Sequence, residues 1–164
     1  MTFLIDRIIA ALGEEQADLT ALVPALTDDQ LAGPSGASQW AVAEVLGHMG
    51  SGAEITLAGL HAALEGRAAP DAEFNGPVWD RWNAMSADEK RAGYLEKSAA
   101  LISAFEALDR QQRDSLEIDV SYMPAPMPVA TFAGLQLNER ALHGWDVRVG
   151  VDPDAELHTS SAEL

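Results

Sequence analysis

Four long stretches of this chain set apolar residues three and four positions apart, the period of a helix that buries one face, and this leaves little sequence for a sheet. The first runs from Thr2 to Leu22, with Leu4, Ile5, Ile8, Ile9 and Leu12 as a stripe that Leu19, Leu22 and Val23 continue up to Pro24. The second spans Ala41 to Glu65 and turns Val42, Val45, Leu46, Met49, Leu57, Leu60 and Leu64 inward, with Gly66 as its stop. A third begins near Ser86, where Ser86 and Glu89 form a capping box, carries Leu95, Ile102, Phe105 and Leu108 inward, and ends before Asp114. The fourth covers Val129 to Val149, and Pro128 can stand at its entry without losing a needed donor. An all-α, up-and-down four-helix bundle with long crossovers is the expected fold, a scaffold that builds metal sites from facing helices.

The connections carry their own signals. Leu116, Ile118, Val120 and Tyr122 alternate with polar residues, the period of a short extended segment. Leu31 to Ser38 reads as a loop before the second helix, and Trp79 to Trp82 as part of the connection before the third. The Trp79 and Trp82 rings either wall a pocket or pack a long loop onto the bundle. Gly134 and Gly144 within the fourth helix each cost roughly 1 kcal/mol against Ala, a cost that close helix approach or room for a ligand would offset.

Residues 1–164 read as one domain, long enough to bury a core without staples. The sequence has no cysteine, so disulfides and Cys zinc sites are excluded and any thiol chemistry must use an external thiol. A formal net charge of -16 argues against nucleic acid and anionic membranes, both of which reward Lys and Arg clusters. The segment Met1 to Ile9 is no secretory signal and no stretch reaches membrane-spanning length, so a cytoplasmic location is the expectation. Ser160 to Glu163 has the form of a helix start, from which a continuation past Leu164 is expected.

Chemistry concentrates on the fourth helix. Glu139 and His143 stand four residues apart, about 40° in helical rotation, and so project from one face. His48, on the second helix, offers a further nitrogen that a packed bundle could bring opposite them. Two imidazoles and a carboxylate form the ligand set of an open catalytic zinc site, whose fourth position is left to water or substrate. An exposed capping or ion-pair arrangement is the plainer reading of Glu-x-x-x-His. The apolar neighbours Phe132, Leu135, Leu142 and Trp145 place some of these polar groups toward an interior. His61 is rotated roughly 140° from His48 on the same helix, and His158 lies beyond the fourth helix, so neither is well placed to join. Glu44, one turn before His48, and Asp146, one turn after His143, are candidates to orient the imidazoles. Arg140 and Arg148 either reverse the negative field locally for an anionic substrate or pair with acids at the surface.

The run Gly134 to Arg148, containing Glu139, His143 and Asp146, together with Trp40 to His48, resembles the DinB-like domain of the mycothiol-dependent maleylpyruvate isomerase family. Val78 to Asn83 is similar to the same family, so the likeness spans most of the chain. The resemblance implies a helical bundle with a divalent metal, usually zinc, held by His48, Glu139 and His143, and mycothiol as the thiol whose thiolate the metal binds. The residue after Trp40 departs from the family's frequent hydroxyl cap. Here it is Ala41, so Ser38 or water is expected to cap the second helix.

Under this reading the thiolate attacks a small-molecule electrophile. A cis enone acid such as maleylpyruvate would be isomerised by addition, rotation and elimination, whereas an epoxide or halide would yield a stable S-conjugate. Trp79, Trp82 and Arg148 are the pocket candidates. A non-catalytic metal-binding bundle and metal-assisted hydrolysis are the alternatives.

Overall fold

The structure, a computed structural model, describes residues 3–120 and 123–164. Its long helices are α1 (Leu4–Leu22), α3 (Val42–Leu64), α5 (Ala87–Glu106) and α7 (Val129–Val149), with shorter α2 (Asp28–Ala32), α4 (Asn75–Asn83), α6 (Arg110–Ser115) and α8 (Thr159–Ala162) between and after them. α1 packs on α5 and α7, and α3 packs on the same two, so the four long helices form a ring with α1 diagonal to α3. The chain therefore crosses the bundle from α1 to α3 and again from α5 to α7, whereas α3 and α5 are neighbours. Among the described residues, no helix is long and apolar enough to cross a membrane.

Helix boundaries follow local chemistry. α7 starts on Pro128 and ends at Val149, the limits the periodicity predicts. Gly66 adopts φ 62°, and the N–H groups of Gly66 and Arg67 donate to Ala63 and Ala62 carbonyls, which closes α3 in a left-handed turn that suits glycine. Ser86 and Glu89 cap α5 reciprocally. The third predicted helix is, however, two helices. Asp109 caps α6 with Gln112 in a second reciprocal box and breaks the segment after Glu106. Residues around Leu31 also form a helix instead of a loop, because Thr27 and Gln30 cap α2 in the same way.

The cap of α3 corrects another expectation. Ala41 is the N-cap, and the Glu44 carboxylate accepts from the Ala41 N–H at 2.7 Å, taking the role expected of Ser38. Extended structure is short: Glu117–Ile118 (β1) pairs antiparallel with Met127–Pro128 (β2). Ile118 is buried there, while Ser121 and Tyr122 lie outside the described residues. Ser160 does not cap α8, which starts from His158; the Ser160 and Ser161 hydroxyls instead donate to Glu14 and Glu15 on α1.

Two apolar clusters fill the ring. One gathers Ile5, Ile9, Leu12, Leu101, Phe105 and Phe132; the other gathers Leu19, Val45, Leu46, Tyr94 and Val147. Between them the chain sequence inserts Glu15 and Gln16 on α1, Ser98 on α5 and Arg140 on α7, all buried. Glu15, with no exposed surface, accepts from Arg148 Nη1 at 2.9 Å, and Gln16 Oε1 accepts from Arg140 Nη1 at 2.9 Å. Arg148 thus pairs with an acid as one sequence reading had it, but with a buried one and while itself partly buried, and Arg140 is an interior residue bonded to a neutral amide. Gly144 admits this packing, since a Cβ there would stand 3.1 Å from Leu19 Cδ1 on α1; at Gly134 the same test gives ordinary contact with Ile8.

The Trp79 to Trp82 stretch is helical, the core of α4, and its two rings part company. Trp82 is buried, with its six-membered ring wedged between α3 and α5: a Cβ at Gly50 would overlap it, and one at Gly93 would lie 2.8 Å away. Its indole N–H donates to Glu54 at 3.0 Å, and Arg81 donates to both oxygens of the same carboxylate at 2.5 and 2.6 Å. Burial works to raise the Glu54 carboxyl, but the Arg81 and Trp82 hydrogen bonds outweigh it and hold the group below the usual glutamate range.

Replacing Trp82 by Ala should lower stability in urea denaturation by about 3–5 kcal/mol, whereas Trp79→Ala should cost less than about 1 kcal/mol. Because the Glu54 pKa is depressed in the fold, its contribution is full above the ordinary glutamate pKa of about 4.3 and is lost as pH falls through the lower folded value. Denaturation midpoints measured across this acid range should fall less steeply for Glu54→Gln than for the parent.

Candidate metal centre

Three elements converge at one edge of the bundle. Residues 33–42 fold back on themselves: Ser35 N–H donates to the Trp40 carbonyl at 3.1 Å, the Ser35 hydroxyl donates to the same carbonyl at 2.7 Å, and Val42 N–H donates to Gly33. That closed loop sets Trp40 against the two histidines that the helices supply. α3 contributes His48 one and a half turns from its start, and α7 contributes Glu139 and His143 from successive turns.

The ligand atoms meet. His48 Nε2 lies 3.4 Å from Glu139 Oε2, and His143 Nε2 lies 3.7 Å from the same oxygen. One donor atom from each of the three residues can be chosen so that all lie within 4.8 Å of one another. Ligands 2.0–2.1 Å from a tetrahedral zinc stand roughly 3.3 Å apart, so these residues fit a divalent ion with small adjustments. Their imidazole and carboxylate chemistry suits such an ion as well.

Asp146 completes the geometry. His143 Nδ1 is 2.9 Å from Asp146 Oδ2, and since an ionised carboxylate only accepts, Nδ1 donates in this bond and Nε2 is the nitrogen that faces Glu139 and His48. Asp146 is fixed in turn by the loop. Gly36 N–H donates to the Asp146 carbonyl at 2.9 Å, and a Cβ at Gly36 would lie 2.7 Å from Asp146 Oδ1. Glu44, the other orienting candidate, is occupied at the α3 cap.

Trp40 is the residue that spacing did not single out. Its ring centroid lies 5.1 Å from that of His48 and 6.1 Å from that of His143, and the two imidazoles meet edge to face at 4.7 Å. The signal for it was its place one residue ahead of the α3 cap, where a ring can fold over the helix's first turns.

A cleft of about 740 Å³ opens beside the triad. His48, Glu139 and Arg140 border it, Met49, Ile55, Phe132 and Leu135 form apolar wall, and Trp79, half exposed, stands at the rim. Trp82 and Arg148, both pocket candidates from the sequence, do not line it. Leu135 and Leu142 are exposed instead of interior, which turns Glu139 outward and Arg140 inward. His61 is exposed and apart from the triad, and His158 lies 2.8 Å from Asp18 on α1.

Fold and site together define a DinB-like helical bundle that gathers two imidazoles and a carboxylate at the mouth of a cleft. Residues 12–148 match the family described as the mycothiol maleylpyruvate isomerase N-terminal domain. The chain belongs to that family. Similar solved structures include the crystal structure of a mycothiol-dependent maleylpyruvate isomerase, at TM-score 0.71 and 14% identity. A histidine-to-alanine mutant of such an isomerase superposes at TM-score 0.72 and 13% identity. Each match covers 90% of this chain and 63% of the solved one, and at such identity the likeness establishes the fold. No curated protein matches the chain.

Asp146→Asn keeps the shape of the side chain but weakens the acceptor for His143 Nδ1. Zinc affinity, read by competition with a chromophoric chelator, should fall about 10–100-fold, while Glu44→Gln should leave it within a few-fold of the parent.

Proposed function

We propose that this domain holds a divalent metal, zinc in the first instance, on His48, Glu139 and His143 and uses it to activate mycothiol for attack on a small electrophile. The observation that carries the reading is the meeting of three ligand atoms from α3 and α7 at the mouth of an open, largely apolar cleft. Membership in the mycothiol maleylpyruvate isomerase family supplies the thiol. When bound, such a metal lowers the pKa of a thiol that reaches its open position and supplies a thiolate at neutral pH.

The chain's own residues do the rest. Asp146 keeps the His143 Nδ1 proton in place, so the imidazole presents a basic Nε2 without tautomer exchange. Trp40 packs its ring against both imidazoles on the loop side. Glu139, half exposed, leaves the opposite side open to an incoming thiol. Met49, Ile55, Phe132 and Leu135 offer an electrophile an apolar resting place beside that opening. With no cysteine in the chain, the nucleophilic sulfur must come from outside. Isomerisation of a maleylpyruvate-like cis enone acid is the favoured outcome, with S-transfer to an epoxide or halide drawing on the same activation.

Cobalt(II) substitution tests this directly. Mycothiol should produce an intense sulfur-to-cobalt charge-transfer band in the parent protein and none in His48→Ala, with turnover of maleylpyruvate lost in parallel. A parent spectrum unchanged by the thiol would replace the enzyme with a metal-binding module.

A further inference from the structure

The polar layer inside the bundle holds one cation that no carboxylate contacts directly. Glu15 is paired with Arg148, and Asp146 is engaged by His143. Arg140 has neither. Only 4% of its surface is exposed, yet its hydrogen-bond partner is the neutral amide of Gln16, and its Nε atom is enclosed without any partner. Tyr94 stands close to it, but burial pushes that phenol up, and the opposing pull of Arg140 does not make it an anion at neutral pH. A guanidinium stays charged when buried, and since Glu15 acts on Arg140 only at a distance while contacting Arg148, Arg140 has no carboxylate of its own. Arg148 also has unpartnered nitrogens, but it has its counter-ion and does not border the cleft.

Arg140 does border the cleft, immediately after Glu139 in sequence. A charge that is desolvated, short of an anion and held at the wall of a cavity is arranged to receive an anion from that cavity. We infer that Arg140 is the anion-recognition residue of the cleft, taking the carboxylate of an organic acid whose apolar body rests on Ile55, Phe132 and Leu135. Inorganic anions lack such a body and gain nothing from those walls. Gln16 acts from behind as a positioning residue: its Oε1 fixes the guanidinium without neutralising it. This assignment rests on the cleft being the ligand site of the proposed enzyme, but it does not require the metal or the thiol.

Titration calorimetry of the metal-free chain with cinnamate and with the neutral amide cinnamamide tests it, with zinc-loaded protein run alongside. Metal-free parent should bind the acid at least tenfold more tightly than the amide. Arg140→Gln should abolish that preference, and Arg140→Lys should retain part of it. Gln16→Glu keeps Arg140 but gives it an internal carboxylate, so it too should abolish the preference, with thermal unfolding showing that the fold persists. Equal binding of acid and amide by the parent, or a preference that survives both Arg140→Gln and Gln16→Glu, would overturn the assignment. The metal-free preference is independent of the cobalt spectrum, so each reading can fail alone.

Discussion

The buried contact between Glu15 and Arg148 fixes how α7 lies on α1, and the rest of the site inherits that register. A carboxylate with no exposed surface tolerates burial only when matched, and removal of either partner leaves the other uncompensated at a cost of about 3–5 kcal/mol. Replacing both with apolar residues could be less costly, so the pair contributes specificity of alignment more than net stability. Gly144 lets the helices close far enough for the pair to form. With α7 held at Arg148 and Arg140, Glu139 beside Arg140 and His143 between the two both face His48 on α3.

That alignment is transmitted outward through short, local links. Asp146 lies on the same helix as the ion pair and joins His143 to the loop at Gly36, and the loop places Trp40 over both imidazoles. His48 comes from a helix whose position depends on α5 and on the Trp82 ring. The site is therefore the junction of two independently braced pairs of helices, with a loop as its cover. Preorganised donor atoms of this kind lose little freedom when a ligand arrives.

Much of this was readable because it is local. The ends of α7, the Ser86 capping box, the Gly66 stop and the shared face of Glu139 and His143 all depend on residues within a turn or two of each other. The division at Asp109 was equally local, since Asp109 and Gln112 have the capping-box spacing, and apolar residues on both sides masked it. Burial of Arg140 and Arg148 was not readable, because their partners are 124 and 133 positions away in sequence. The same holds for Trp82: only the approach of Gly50 and Gly93 makes one ring of the pair a core residue, while Trp79, three positions earlier, stays half exposed. Glu44 has the position of an imidazole partner, but the uncapped amide of Ala41 competes for it and wins at 2.7 Å.

The Trp82 wedge has a consequence for how the molecule opens. The ring belongs to neither α3 nor α5, yet it fills the gap that two glycines leave between them, so the spacing of those helices depends on α4 being docked. Connection and helix pair thus form one cooperative unit, whose amides would lose hydrogen-exchange protection together instead of fraying from the loop inward. His48, one turn or less from Gly50, rides on that unit, which makes the breathing of a surface helix part of the lifetime of the triad.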